Sequence, residues 1–310
     1  MLFRRNYNNF CRIKIKLNFN SHKLIQKSTI QLLRIPFSFF LMPVYWFALS
    51  ITTEINYTRA ILVFVLLHAL LYPASNGYNS YNDRDTESIG GIANPMQPTK
   101  QLYYSTLVLD LIGFVFSFLI SNVFAGCYLF FVICSRLYSW RGLRLKKYPI
   151  LGYFLVIINQ GTLVFFAIAH GVSSNLTLEV PSLLLLAAGL LIGGFYPITQ
   201  IYQHIQDRND GVKTISILLG KRGTFIFCGV LYLLAFLCLF LYFQSKQSLP
   251  NFWVIQLFFI PVVLNFLHWM LAVWKNPAKA DFKNTMRMVW IASTFTNLAF
   301  ITLLIMNHFG

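Results

Sequence analysis

Two short polar segments hold most of the chain's few acidic residues, and their spacing could bind a hard metal ion. Five of the nine Asp and Glu residues fall in these segments: Asp83, Asp85, Glu87, Asp207 and Asp210. At about 100° per residue, one helical face would collect four polar side chains of the first segment: Asn76, Asn79, Asp83 and Glu87. Asn82 and Asp85 would point away from that face. Carboxylate and amide oxygens suit Mg²⁺, which commonly joins one or two carboxylates to a phosphate.

The second segment repeats the first at a constant offset of 124 residues. Its matching residues are Gln200, Tyr202, Gln203, Gln206, Asp207 and Arg208, opposite Asn76, Tyr78, Asn79, Asn82, Asp83 and Arg84. Such a repeat indicates two related half-bundles whose polar faces meet in one oxygen-lined cleft. Basic residues flank this cleft and could bind a diphosphate together with the metal: Arg84, Arg144, Lys146, Arg208 and Lys213. The plainer alternative is that both segments are helix ends that solvate a loop.

Long apolar helices must position these segments, because the composition is that of a membrane protein. The chain is 57% hydrophobic and 11% charged, with a mean hydropathy of +0.61, whereas soluble domains carry about 25% charged residues. Apolar runs of membrane-spanning length occur at residues 36–52, 60–82, 102–121, 123–138, 149–172, 182–205, 223–243, 253–274 and 286–307. The predicted fold is therefore an all-α polytopic membrane protein with nine transmembrane helices.

The distribution of charge predicts the orientation of these helices. The net charge is +16, and 23 of the 25 Lys and Arg residues fall on one side of the nine-span arrangement, which leaves Arg59 and Lys246 on the other. Basic loops that face the cytoplasm and anionic lipid account for this excess without a nucleic acid partner. We expect the inner membrane of the cell, with a cytoplasmic N-terminus.

The first 53 residues contain no Asp or Glu. Residues 1–33 are interpreted as a basic cytoplasmic segment on the membrane surface, followed by a single transmembrane domain at residues 34–310. A mitochondrial-type targeting segment, and hence an organellar inner membrane, is the alternative.

Both polar segments resemble the motifs of the UbiA-type intramembrane prenyltransferases. That family has N-x-x-x-D-x-x-x-D after helix two and D-x-x-x-D after helix six. Residues 79–87 resemble the first motif with Glu87 in place of the last Asp, and residues 203–207 resemble the second with Gln203 in place of its first Asp. Residues 211–220 resemble the G-x-K/R-T-x-x-x-x-L-G continuation. Residues 138–146 are similar to a loop of the chlorophyll-synthase and homogentisate-prenyltransferase branch.

This resemblance implies a nine-helix bundle around a central cavity that opens to lipid. The implied reaction transfers a prenyl group from a prenyl diphosphate to a lipophilic or aromatic acceptor and releases pyrophosphate, with Asp83, Asp207 and Tyr138 as catalytic residues. The resemblance implies that Mg²⁺ is held by Asn79, Asp83, Glu87, Gln203 and Asp207. Arg144 and Lys146 would bind the diphosphate directly, and Tyr138 would lie beside the allylic carbon as it gains cationic character.

The amide at Gln203 leaves three readings open, because it removes a carboxylate from the second motif. The protein could be an active enzyme with one well-held metal, an enzyme with an unusual donor or acceptor, or a silent member of the family. A transporter is a further alternative, since repeats with intramembrane polar residues also occur in that class. Asn159 and Gln160 are uncommon polar residues for a membrane helix, and we expect them to face the cavity.

Overall fold

The computed structural model describes residues 25–309, and helices dominate this part of the chain. No described residue lies in a β-strand. Two isolated β-bridges join Ile55 to Ser173 and Ile89 to Ile92. Ten helical segments follow one another: α1 (Lys27–Ile51), α2 (Tyr57–Asp83), α3 (Lys100–Ser117), α4 (Asn122–Ser139), α5 (Pro149–Val172), α6 (Ser182–Gln200), α7 (His204–Asn209), α8 (Ile215–Ser245), α9 (Leu249–Lys275) and α10 (Phe282–Phe309). Short 3₁₀ turns lie at Leu145–Lys147 and Pro277–Lys279.

Eight of these helices are long and apolar enough to cross a membrane within the described residues. The remaining long helix is α3, which matches α4 in length at 18 residues but carries Lys100 and Asp110. The predicted all-α membrane fold is confirmed, whereas a crossing by α3, and with it the count of nine, stays a prediction. Most of the predicted basic segment lies outside the described residues.

The helix α1 is interrupted near the end of the bundle that carries the two polar segments, here called the polar end. It is α-helical over Lys27–Leu32, 3₁₀-helical over Ile35–Phe40 and α-helical again over Met42–Ile51. Arg34 makes the first break with a left-handed backbone at φ 48°. The break turns the Arg34 side chain toward the interior of the bundle.

Two other helices contain a π-helical turn. In α2 this turn covers Leu66–Leu71, and in α5 it covers Ile157–Leu163. Such turns are rare and frequently occur at functional sites. The second one includes Asn159 and Gln160, the polar residues noted in the sequence.

Close contact between α5 and α6 holds the π-helical turn of α5 in place. A Cβ atom on Gly161 would lie 2.8 Å from the Cα of Gly189 and 2.9 Å from the carbonyl oxygen of Ala188. Small residues of this kind let two membrane helices approach backbone to backbone. The polar turn is therefore packed directly against α6.

Aromatic packing closes the bundle toward its far end, opposite the polar end. The ring of Phe47 stacks on that of Phe300 at a centroid distance of 4.4 Å and packs on Phe165 at 4.6 Å. All three side chains are fully buried. These contacts tie α1, α5 and α10 together beneath the polar residues.

Candidate active site

The two polar segments face each other across one cleft at the polar end, as their repeat predicts. Asn76, Asn79 and Asp83 line it from α2, and Gln203 and Asp207 line it from the start of α7. The second segment does not continue α6 to residue 205, as the sequence suggested. α6 ends at Gln200, three residues after Pro197 interrupts its hydrogen bonding, and the chain turns before the short helix α7.

The carboxylate of Asp83 pairs with two cations of the loop that follows α4. The Lys146 ammonium donates to Asp83 Oδ2, and Arg144 Nη2 lies 3.3 Å from Asp83 Oδ1. Arg144 also forms an ion pair with Asp210 across the mouth of the cleft. Burial alone would lower the pKa of the Arg144 guanidinium, but its hydrogen bond to Asp210 and the charge of Asp83 raise it. The loop thus holds a buried, charged guanidinium next to the cleft.

Two further carboxylates of the cleft, Asp85 and Asp207, form no ion pair within the described part of the chain. Burial, reinforced by the charges of Asp83 and other carboxylates, raises the pKa of Asp207 to about 7 and that of Asp85 to about 6. Lys146 offsets part of this shift at both positions. A cluster of this kind favours an added cation, since a bound cation relieves the repulsion that raises these pKa values.

Two amide side chains offer neutral oxygen atoms to the same space. Asn79 Nδ2 donates to Ser139 Oγ at 3.2 Å, and Gln203 Nε2 donates to the Ser88 carbonyl oxygen at 3.4 Å. With their nitrogen atoms occupied, both side chains keep their carbonyl oxygens without a hydrogen-bond partner among the described residues. Neutral oxygen atoms of this kind complete the coordination of hard cations beside carboxylates.

The donor set therefore fits Mg²⁺ that shares its coordination with phosphate oxygens. No group of three or more His, Cys, Asp or Glu residues within the described chain is arranged to hold a metal unaided. Asp83, Asp85 and Asp207 with the amide oxygens of Asn79 and Gln203 instead provide scattered oxygen ligands around an open space. Mg²⁺ is usually bound in this way, through a few carboxylates together with substrate phosphates.

The structure corrects the predicted polar face of α2. That helix ends at Asp83, because Arg84 adopts a left-handed backbone with φ 54°, so Glu87 does not share the helical face. Glu87 is exposed in the following loop and does not line the cleft. Asp85, which a continuous helix would point away, lines the cleft instead and accepts a hydrogen bond from Gln206 Nε2 at 2.6 Å.

Four of the five predicted diphosphate-binding cations do not line the cleft. Arg144 is buried in its ion pairs with Asp83 and Asp210, which do line it. Arg84, Arg208 and Lys213 are exposed on the loops and helix ends around it. Their spacing placed them beside the motifs, but the turns at Arg84 and Gly211 (φ 68°) leave them at the surface.

The sequence analysis missed Arg34, which lines the cleft from the break in α1. Its guanidinium donates to the carbonyl oxygens of Asn76 at 3.3 Å and Gly90 at 3.5 Å, and its buried Nε has no partner among the described residues. The sequence pattern shows it only as one of the 23 Lys and Arg residues on the basic side of the membrane. The available signal was its position directly before the first apolar run, where a topological cation and a site cation look the same.

Tyr138 lies in an aromatic wall below these charged groups. It lines the cleft, and its hydroxyl forms a hydrogen bond with the hydroxyl of Tyr196. Gln200 Nε2 donates to Tyr196 at 2.7 Å, and the Tyr153 ring stacks 6.5 Å from that of Tyr196. Electron-rich rings therefore face the part of the cleft adjacent to the carboxylates.

An apolar pocket continues the cleft toward the far end. The two spaces share Phe40, Ile192 and Phe195, and the apolar one extends down to Phe47 and Phe300. The cleft has a cavity volume of about 210 Å³. The whole space is thus charged at one end, aromatic in the middle and apolar at the other end.

The structure is an all-α membrane bundle in which a charged, oxygen-lined cleft adjoins an apolar pocket. The family model of the UbiA prenyltransferase family matches residues 40–308, and the chain belongs to that family. No curated protein sequence matches the chain.

Solved structures of low sequence identity share the fold. A UbiA homologue from Archaeoglobus fulgidus, described as bound to DMAPP and Mg²⁺, superposes with a TM-score of 0.66 at 17% identity, covering 89% of this chain and 99% of its own. An apo UbiA homologue from Aeropyrum pernix K1 gives 0.64 at 17% identity, covering 87% and 98%. A digeranylgeranylglyceryl phosphate synthase gives 0.59 at 19% identity, covering 90% and 98%. The predicted family and fold are confirmed; the resemblance to the chlorophyll-synthase and homogentisate-prenyltransferase branch stays a prediction.

Proposed function

We propose that this protein transfers a prenyl group from a prenyl diphosphate to a lipophilic or aromatic acceptor in a Mg²⁺-dependent reaction. The observation that carries the proposal is the cleft in which Asp83 and Asp207, one from each motif, meet Arg144 and Lys146 above an apolar pocket. Archaeal UbiA homologues of the same fold are described as bound to DMAPP or GPP with Mg²⁺, which supports the donor class.

In this reaction the bond between the allylic carbon and the diphosphate oxygen breaks, and its electron pair stays on the diphosphate. Arg144, Lys146 and Arg34 neutralise the charge that develops there, which lowers the barrier. The allylic carbon then bonds to a nucleophilic atom of the acceptor, and the proton that this atom loses leaves with the diphosphate for solvent. Mg²⁺, when bound, supplies further neutralisation of the diphosphate.

The aromatic wall is suited to the other reacting fragment. The rings of Tyr138 and Tyr196 face the space between the carboxylates and the apolar pocket, where an allylic carbon would lie. Aromatic faces stabilise positive charge, and a site that excludes water protects a carbocation from hydrolysis. The prenyl chain would extend past Phe195 into the apolar pocket, where only its hydrocarbon is buried.

Of the readings left open by Gln203, the structure favours an active enzyme. The amide oxygen of Gln203 has no hydrogen-bond partner in the described part of the chain, and Asp85 adds a carboxylate that the motif comparison did not include. With Asp83, Asp207 and Asp210, the described part of the cleft is lined by four carboxylates. We place the mouth of this cleft on the cytoplasmic side of an inner membrane, in keeping with the excess of basic residues on that side.

The test uses purified full-length protein with Mg²⁺, prenyl diphosphates of several chain lengths and a panel of acceptors. Asp83→Asn and Asp207→Asn are expected to lower turnover on the order of a hundredfold, as removal of groups that stabilise transition-state charge does. Glu179→Gln, at an exposed position in the loop between α5 and α6, is the matched control and should keep full turnover. Unchanged turnover in both Asp variants would overturn the site, and diphosphate binding without product from any acceptor would favour a silent protein.

A further inference from the structure

Asn159 and Gln160 form a polar patch in the cleft that the diphosphate-binding groups do not use. Both residues line the cleft from the π-helical turn of α5. Ten residues at about 1.5 Å each put Asn159 roughly 15 Å along the helix from Pro149. The patch therefore lies well inside the bundle, away from the charged mouth.

The hydrogen bonding of Asn159 fixes which of its atoms is free. The residue is 5% exposed, and its Nδ2 donates to the backbone carbonyl oxygen of Phe131 at 3.3 Å. A carbonyl can only accept, so the amide nitrogen must face it and the amide orientation is determined. Asn159 Oδ1 is left buried with no hydrogen-bond partner among the described residues. A buried acceptor without a donor is costly, and a ligand that brings a donor removes that cost.

The surroundings of this free acceptor are neutral and partly aromatic. Gln160 is next to it, lines the cleft and forms no hydrogen bond through its side chain within the described chain. The helix α5 contains no Asp, Glu, Lys or Arg, and the cations that line the cleft, Arg34 and Lys146, lie at its mouth. An acceptor that carried a carboxylate or phosphate beside Asn159 would meet the lone pairs of Asn159 Oδ1 and only the neutral amide of Gln160. With no counter-charge on α5, such an anion is disfavoured there.

We propose that Asn159 and Gln160 bind the acceptor, and that this acceptor is a neutral aromatic molecule with a hydroxyl group, such as a phenol or a hydroquinone. Its O–H donates to Asn159 Oδ1, its ring packs beside Phe131 and Phe195, and Gln160 contacts a second polar group. The inference rests on the proposed prenyl transfer, because it assigns the acceptor of that reaction. The packing of Gly161 on Gly189 keeps the two amides in place.

The experiment compares a hydroquinone with its dimethyl ether, which keeps the ring but lacks the donor, and with a carboxylated hydroxyarene. Equilibrium binding of each compound is measured on the full-length protein without donor, and turnover is measured with a prenyl diphosphate. Wild-type protein should bind the hydroquinone about ten- to a hundredfold more tightly than the other two compounds, because they leave Asn159 Oδ1 unpaired or add an unpaired charge.

Asn159→Leu and Gln160→Leu test the same subsite from the protein side. Asn159→Leu should raise the Kd and KM of the hydroquinone about ten- to a hundredfold, leave those of the dimethyl ether unchanged and leave the KM of the prenyl diphosphate unchanged. Gln160→Leu should also raise the Kd and the KM of the hydroquinone. The control is Gln256→Leu in α9, which removes a half-buried amide outside the cleft and should change neither substrate's constants.

Equal binding of hydroquinone and ether by the wild-type protein would overturn the subsite, as would preference for the carboxylated compound or an unaltered hydroquinone Kd in Asn159→Leu. The wild-type comparison decides the matter if the Leu variant does not fold. Discrimination between the compounds without product from any prenyl diphosphate would overturn the proposed function and leave the subsite standing. Formation of a prenylated product without discrimination between the three compounds would overturn the subsite and leave the proposed function standing.

Discussion

Asp83 is linked to the opposite wall of the cleft through Arg144. It accepts from Lys146 and lies 3.3 Å from Arg144, whose second partner is Asp210. In the proposed function, a diphosphate in the cleft would pair with both cations and leave the Asp83 carboxylate free to hold a metal ion. Because the ion pairs already order Lys146 and Arg144, this binding would cost less conformational entropy.

At the residue scale, we predict that Asp85 contributes to magnesium binding and that Glu87 does not. Asp85→Asn should raise the Mg²⁺ concentration for half-maximal turnover about tenfold, the size expected when a supporting group of a metal site is removed. Glu87→Gln should leave that concentration unchanged, because Glu87 is exposed outside the cleft. A Mg²⁺ titration of turnover measures both. If Glu87→Gln raised this Mg²⁺ concentration and Asp85→Asn did not, α2 would have to continue through residue 87.

The positions of Asp85 inside the cleft and of Glu87 outside it illustrate the limit of inference from sequence at this scale. Residue types and the repeat were enough to predict that Asn79, Asp83, Gln203 and Asp207 lie in one cleft, since these features are local. The angular position of a residue depends on where its helix ends, and Arg84 has none of the usual signals for a left-handed helix end, where Gly or Asn is typical. Arg34 was missed for a related reason, since only the break in α1 brings it to the cleft.

At the scale of helices, left-handed backbone at non-glycine residues recurs around the cleft. Arg34, Arg84 and Arg144 all have φ values between 48° and 54°, a conformation that costs energy for residues with a Cβ atom. Each of them marks the boundary of a helical segment beside the mouth. Apolar length predicts where a helix crosses the membrane, but these turns depend on contacts made by the folded bundle.

The contact between α5 and α6 gives a prediction at the same scale. Gly161→Ala should destabilise the protein by about 1–3 kcal/mol, the usual cost of overpacking a tight interior, because the new methyl group would meet the Gly189 backbone at 2.8 Å. Gly126→Ala is the matched control, since nothing lies within 4 Å of the added Cβ. Thermal unfolding in one detergent measures both. Equal melting temperatures would mean that the two helices separate easily.

For the molecule as a whole, the number of membrane crossings depends on α3. Eight helices meet the requirements for a span, and α3 carries Lys100 and Asp110. Asp110 is nevertheless paired with Arg136 of α4, which reduces the cost of placing both charges at membrane depth.

The far end holds few cations, and one of them, Arg59, donates to the carbonyl oxygens of Gly171 and Ser174 at 3.0 Å. Arg59 thus caps the end of α5 and does not belong to a free basic loop.

We therefore predict an odd number of crossings. A tag after Gly310 should be reached by an impermeant reagent from the non-cytoplasmic side of intact cells, whereas a tag inserted beside Lys279 should be reached only after the membrane is opened. If α3 does not cross, both ends of the chain lie on the same side. A cytoplasmic tag after Gly310 would exclude the nine-span arrangement.

The gradient from charged mouth to apolar floor bears on the reversibility of the proposed reaction. In the proposed reaction, pyrophosphate would leave through the polar mouth and diffuse away in water. A prenylated product is far more soluble in the bilayer and would move laterally into the lipid. The two products are then diluted in different phases, so that a reverse encounter requires both to return to one cleft at the same time. Partitioning would in this way drive the transfer forward without any additional input of energy.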